Sequence, residues 1–96
     1  MLVRVVKMGI EPKLKPLFIA AFKDNKKAIR SFPGCLHLEL LEDKNNPSIV
    51  FTYSHWENEI ALENYRTSPL FNSVWSKVKP LFNIKPEAWS FSRTVI

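Results

Sequence analysis

Two short segments of this chain are apolar on both alternating faces. In Leu2 to Met8, Val3 and Val5 oppose Val6 and Met8; in Cys35 to Leu41, Leu36, Leu38 and Leu40 oppose Cys35 and Leu41. A half-exposed strand alternates apolar with polar residues, whereas a strand covered on both sides reads as a near-continuous apolar run. The chain must therefore build a sheet that needs a cover on each face.

The 96 residues make one domain, 1–96, and a domain of this size buries only about 60–65% of its unfolded surface. Seven Phe, three Trp and two Tyr exceed what one small core hides, which points to a partner or ligand for the surplus.

Turn formers and helical spacing set the rest. Gly9 to Lys15 reads as a loop, and Pro16 suits a first helical turn. Phe18, Phe22, Asn25, Ile29 and Phe32 recur at helical spacing, with Leu17, Ala21 and Ala28 widening the stripe, and Pro33-Gly34 ends the helix. The polar turn 42–47 joins two strands into a hairpin. A helix begins near Glu57, with Ser54 or Asn58 as its cap, and Thr67-Ser68-Pro69 breaks it. A second segment carries Leu70, Phe71, Val74, Trp75, Val78, Leu81 and Phe82, until Pro80 ends or kinks it. Trp89 to Val95 is expected as the last strand, with Trp89, Phe91, Arg93 and Val95 on one face.

The order β-α-β-β-α-β is the split pattern of a ferredoxin-like α+β fold: an antiparallel four-stranded sheet with helices on one face. No third layer follows in the chain. A homodimer, two sheets packed face to face as an α+β barrel, is the economical cover for the other side.

Composition narrows the function classes. The net charge of +5 comes from lysines and arginines spread along the chain, with no aromatic RNA-binding motif or zinc spacing, so no nucleic-acid partner is expected. The lone Cys35 excludes an intrachain disulfide and fits a reducing cytoplasm; a buried small hydrophobe is its expected role. Arg4 and Lys7 interrupt the N-terminal apolar run, and no stretch approaches a membrane span, so neither a signal peptide nor a membrane partner is expected. The two glycines make no phosphate loop, and the His, Cys and carboxylate spacing offers no metal cluster or nucleophilic triad.

Two groups of side chains carry chemistry. His37, Glu39, Tyr53 and His55 share odd parity on the hairpin; one register sets His37 opposite His55 and Glu39 opposite Tyr53, while a one-residue slip parts them. His37 or His55 would serve as an acid or base, with Tyr53 as a hydrogen-bond donor. Tyr65, Phe71, Trp75 and Phe82 fall on the inner side of the second helical region, as a cleft wall for a planar ligand or as ordinary core.

The runs Phe32-Pro33-Gly34-Cys35-Leu36, Tyr53-Ser54-His55-Trp56-Glu57-Asn58, Ala61-Leu62-Glu63-Asn64-Tyr65 and Ser68-Pro69-Leu70-Phe71 resemble, in order and spacing, the antibiotic biosynthesis monooxygenase domain. The resemblance spans nearly the whole chain. It implies a dimeric α+β barrel and, for some members, a monooxygenase acting on aromatic or quinone-like substrates without metal or flavin. Other members degrade haem or isomerise small phosphorylated compounds. The haem-degrading branch carries an Asn, a Trp and an axial His that fall at Val6 or Lys7, at Tyr65 and at Trp75 here, and none is kept. The leading expectation is a cofactor-independent monooxygenase acting on a small aromatic or quinone-like substrate. A non-catalytic, dimeric small-molecule-binding or stress-related protein of the same fold is the alternative.

Overall fold

The computed structural model describes all residues, Met1–Ile96. Its elements are β1 (Leu2–Ile10), α1 (Lys15–Arg30), β2 (Cys35–Glu42), β3 (Ile49–Trp56), α2 (Glu59–Arg66), α3 (Pro69–Val78) and β4 (Phe82–Ser92), with single 3-10 turns before α1 and after α3. The strands form one four-stranded sheet in the order β2-β3-β1-β4, every pair antiparallel. This is the expected ferredoxin-like α+β arrangement.

Local chemistry fixes the helix ends. Asn58 Oδ1 accepts the Ala61 N–H at 2.8 Å, so Asn58, not Ser54, starts α2. Ser68 Oγ accepts the Phe71 N–H at 3.1 Å and donates to the Tyr65 carbonyl at 2.6 Å, which joins the end of α2 to the start of α3. Gly34 has φ +88°, the only positive φ in the chain, and turns α1 into β2.

Even-numbered residues of β1 and β3 face the helices. Leu2, Cys35, Leu38 and Trp56 pack with Ile29, Ala61 and Leu62 at one end; Met8, Ile10 and Val50 pack with Phe18 and Val78 at the other. Trp56, 1% exposed, is the largest fully buried side chain, and its Nε1 donates to Ser54 Oγ at 3.0 Å. Cys35 is buried as expected, and burial raises its thiol pKa.

The molecule is a slab with extents of 39 × 33 × 20 Å, the thin dimension matching one sheet plus one helix layer. The odd-numbered face of the sheet has no cover within the chain. Val3, Val5 and Phe51 lie on it, and Leu41, Ile84, Trp89 and Phe91 are exposed there.

Several local expectations are corrected. Gly9 and Ile10 belong to β1, not to a loop. Ile10 is fully buried, and Gly9 lets the Ile84 side chain cross close over its backbone, where a Cβ would come within 2.2 Å of Ile84 Cγ1. The last strand runs from Phe82 to Ser92 rather than from Trp89 to Val95; Val95 lies beyond it and is exposed. Pro80 closes the helical region early enough for Phe82 to pair with Ile10, and a bulge opposite Met8 absorbs Lys85 and Pro86. Leu17 and Ala28 do not widen the α1 stripe; both are exposed, because the buried stripe centres on Phe18 and Ile29.

Candidate functional site

The observed register pairs His37 with His55 and Glu39 with Tyr53, after a bulge at Leu36. The cluster therefore assembles. The His37–His55, Tyr53–His55 and His37–Tyr53 ring centroids lie 5.1, 5.0 and 5.9 Å apart, and His37 Nε2 sits 3.1 Å from Glu39 Oε1. Burial, then the charges of His37 and Arg93, lower the His55 pKa, with Glu39 opposing; its Nε2 is shut from solvent without a hydrogen-bond partner. All of these residues occupy the uncovered, odd-numbered face.

The aromatic residues lie on the other side of the sheet. Trp56 and Tyr65 stack at 5.0 Å and 22°, and Tyr65–Phe71, Phe71–Trp75 and Trp75–Phe82 follow at 5.2, 5.6 and 5.6 Å. Phe82 joins this run as the first residue of β4, not from the helical segment to which its spacing assigned it. Between the rings and the sheet lies a cleft of about 500 Å³, open to solvent, whose walls include Tyr65, Phe71, Trp75, Val6, Thr52 and Ala88. Tyr65, Phe71 and Trp75 are half-buried, as cleft walls are, whereas Phe82 backs Trp75 without lining the space. The aromatic residues and the histidines expected to share one site are thus separated by the thickness of the sheet.

The sequence reading missed the polar members of the cleft. Arg4, on β1 between Leu2 and Val6, lines it from the sheet; Arg66, the last residue of α2, lines it from above. Arg4 Nη1 donates to Ser90 Oγ at 2.9 Å. Burial, then the Arg66 charge, lower the Arg4 pKa, with Glu63 opposing. The signal was available: Arg4 interrupts the even-numbered, helix-facing apolar set of β1. Burial also pushes the Tyr65 phenol up to about 12, so it remains a protonated donor at neutral pH.

A family model described as antibiotic biosynthesis monooxygenase matches residues 1–74. The chain belongs to the antibiotic biosynthesis monooxygenase family. That match covers β1 to most of α3, and so most of the cleft of this family member, but not Trp75 or β4. Solved structures agree in fold. One is an antibiotic biosynthesis monooxygenase with 16% identity and a TM-score of 0.92, covering 99% of this chain and 100% of that one. A conserved protein from Methanosarcina mazei Go1 has 19% identity and a TM-score of 0.91, over 98% and 94% of the two chains. A Mycobacterium tuberculosis protein has 16% identity and a TM-score of 0.89, over 99% and 96%. No curated protein matches the sequence.

No three His, Cys, Asp or Glu side chains gather as a metal site in this family member, and no helix is long and apolar enough to cross a membrane.

Proposed function

We propose that the cleft binds a small, planar, electron-rich aromatic of phenol or anthrone type, and that the chain oxygenates it with dioxygen without metal or flavin. The observation that carries this reading is the open cleft of about 500 Å³, walled by the contacting rings of Tyr65, Phe71 and Trp75, in a member of this family. The volume lies within the roughly 300–1,000 Å³ range of small-molecule sites. Ring faces at van der Waals distance favour a flat apolar guest.

The chemistry is balanced by the substrate itself. An ionised anthrone-type ring transfers electrons from carbon to dioxygen; its CH2 becomes C=O, one oxygen atom stays in the product and the other leaves as water. The protein's part is to hold the ring, donate to the oxyanion and limit bulk water. Tyr65 is the donor. No histidine lines the cleft, so the substrate proton is released to solvent rather than to a side-chain base. The same lack of a base favours the second reading, a non-catalytic small-molecule-binding protein.

In this proposal the uncovered face, with His37, Tyr53 and His55, packs against a second copy to form a homodimeric barrel. The exposed Trp89 and Phe91 and the unpartnered His55 Nε2 support that assignment. Oxygen consumption with an anthrone is the test. Uptake that persists in His55→Ala but is lost in Phe71→Ala and Trp75→Ala supports the cleft; loss in His55→Ala returns the histidine cluster to the chemistry. Binding of the anthrone with no uptake by the unmodified chain overturns oxygenation and leaves the binding reading.

A further inference from the structure

The cleft is apolar along most of its length, but its charge is uneven. Arg4 and Arg66 stand at the end marked by Trp56 and Tyr65, whereas Lys79 follows Val78 at the other; Glu87 pairs in the sheet with Lys7, whose side chain belongs to the uncovered face, and makes no ion pair with Lys79. The cleft is therefore cationic, with two guanidiniums sharing the Arg4 end. Arg4 forms no ion pair; its side-chain hydrogen bond goes to a neutral hydroxyl, Ser90 Oγ. Arg66 has only a long, exposed contact of 3.4 Å to Glu63. A half-buried guanidinium that no carboxylate pairs with directly, lining the same end as a second guanidinium, is stabilised when an anion enters. Burial and the Arg66 charge both act on Arg4 in that sense, with Glu63 opposing.

We propose that the cleft selects aromatic acids. The planar ring lies against Tyr65, Phe71 and Trp75, and its carboxylate is held by Arg4 and Arg66. This deepens the reading of the cleft as an aromatic site and rests on it. The forked donors of arginine match a carboxylate, and charge-assisted hydrogen bonds are about twice as strong as neutral ones. The rigid sheet fixes Arg4. Arg66 is the exposed last residue of α2 and exchanges its loose contact with Glu63 for the ligand.

The test is calorimetric titration of the chain with 3-hydroxy-2-naphthoic acid and with its carboxamide, a neutral molecule of nearly the same shape. The acid is expected to bind at least about tenfold tighter, with a preference that shrinks as salt rises. Arg4→Gln and Arg66→Gln should each weaken the acid more than the carboxamide and so bring the two affinities close together. Arg66 is exposed, so its variant tests the idea even where Arg4→Gln fails to fold. Equal affinities in the unmodified chain overturn acid selection and leave the aromatic cleft standing. Binding of neither ligand overturns both. A tenfold preference that survives in Arg66→Gln and in a folded Arg4→Gln overturns the roles given to these arginines.

Discussion

Replacing Gly34 by alanine should be among the most damaging single changes in this chain, for two separable reasons. The residue sits at φ +88°, where an L side chain is strained by about 1–3 kcal/mol. An added Cβ would also lie 2.4 Å from Ala61 Cβ, more than an ångström inside ordinary contact, and 3.6 Å from the Ala61 Cα. Ala61 belongs to α2, so relief requires the helix to move; overpacking of this kind costs about 1–3 kcal/mol. The low end of the sum, about 2 kcal/mol, lowers Tm by roughly 8–16 °C in a domain this small. Urea denaturation followed by far-UV circular dichroism measures the loss. Ala61→Gly separates the causes: alone it costs about 1–2 kcal/mol in helix propensity and buried methyl, but with Gly34→Ala it removes the collision and leaves only the strain. The double variant should be more stable than additivity predicts by about 1–3 kcal/mol. Less than about 1 kcal/mol lost in Gly34→Ala, or additive behaviour in the double variant, refutes the close-approach argument. Because α2 carries Tyr65 and Arg66, ligand binding in the cleft should weaken along with stability.

Other outcomes follow from the same packing. Trp56→Ala should cost about 3–5 kcal/mol by urea denaturation, while Trp56→Phe, which keeps a ring but loses the Ser54 hydrogen bond, should cost much less. Folding lowers the His55 pKa, so its neutral form is the stabilised one; that contribution is whole above the unfolded value of about 6.5 and is lost as pH falls from there toward the folded pKa. The stability advantage of the unmodified chain over His55→Gln should thus shrink between pH 7.5 and 5.5, and a constant difference would count against a neutral ring with a shielded Nε2. Light scattering should give twice the 11.2 kDa chain mass, and Val5→Arg, at the centre of the uncovered face, should halve it with the circular dichroism unchanged. A single-chain mass in the unmodified protein would sink the homodimer proposal.

The fold was largely legible because its punctuation is local. Pro16, Pro33-Gly34 and Ser68-Pro69 mark helix ends by their own backbone chemistry, and the apolar runs of β1, β2 and β3 mark strands. Residues 82–88 were illegible as a strand because Asn83, Lys85 and Pro86 are poor strand formers; pairing with β1 overrides that local preference. The aromatic wall was legible from helical spacing, and the histidine cluster from strand parity. Their separation was legible too: Trp56 is under the helices, so its neighbour His55 must face the other way. Arg4 was overlooked because a charge in an apolar run reads as an interruption until the sheet shows what it faces.

Pro86 in β4 has one more effect. The free margin of that strand lacks an amide hydrogen at Pro86 and is distorted by the adjoining bulge, and the opposite margin, β2, is kinked at Leu36. A foreign extended peptide docking alongside either border would find the hydrogen-bonding ladder broken. The sheet is thereby guarded against lengthening sideways into a ribbon, which a small greasy sheet otherwise invites.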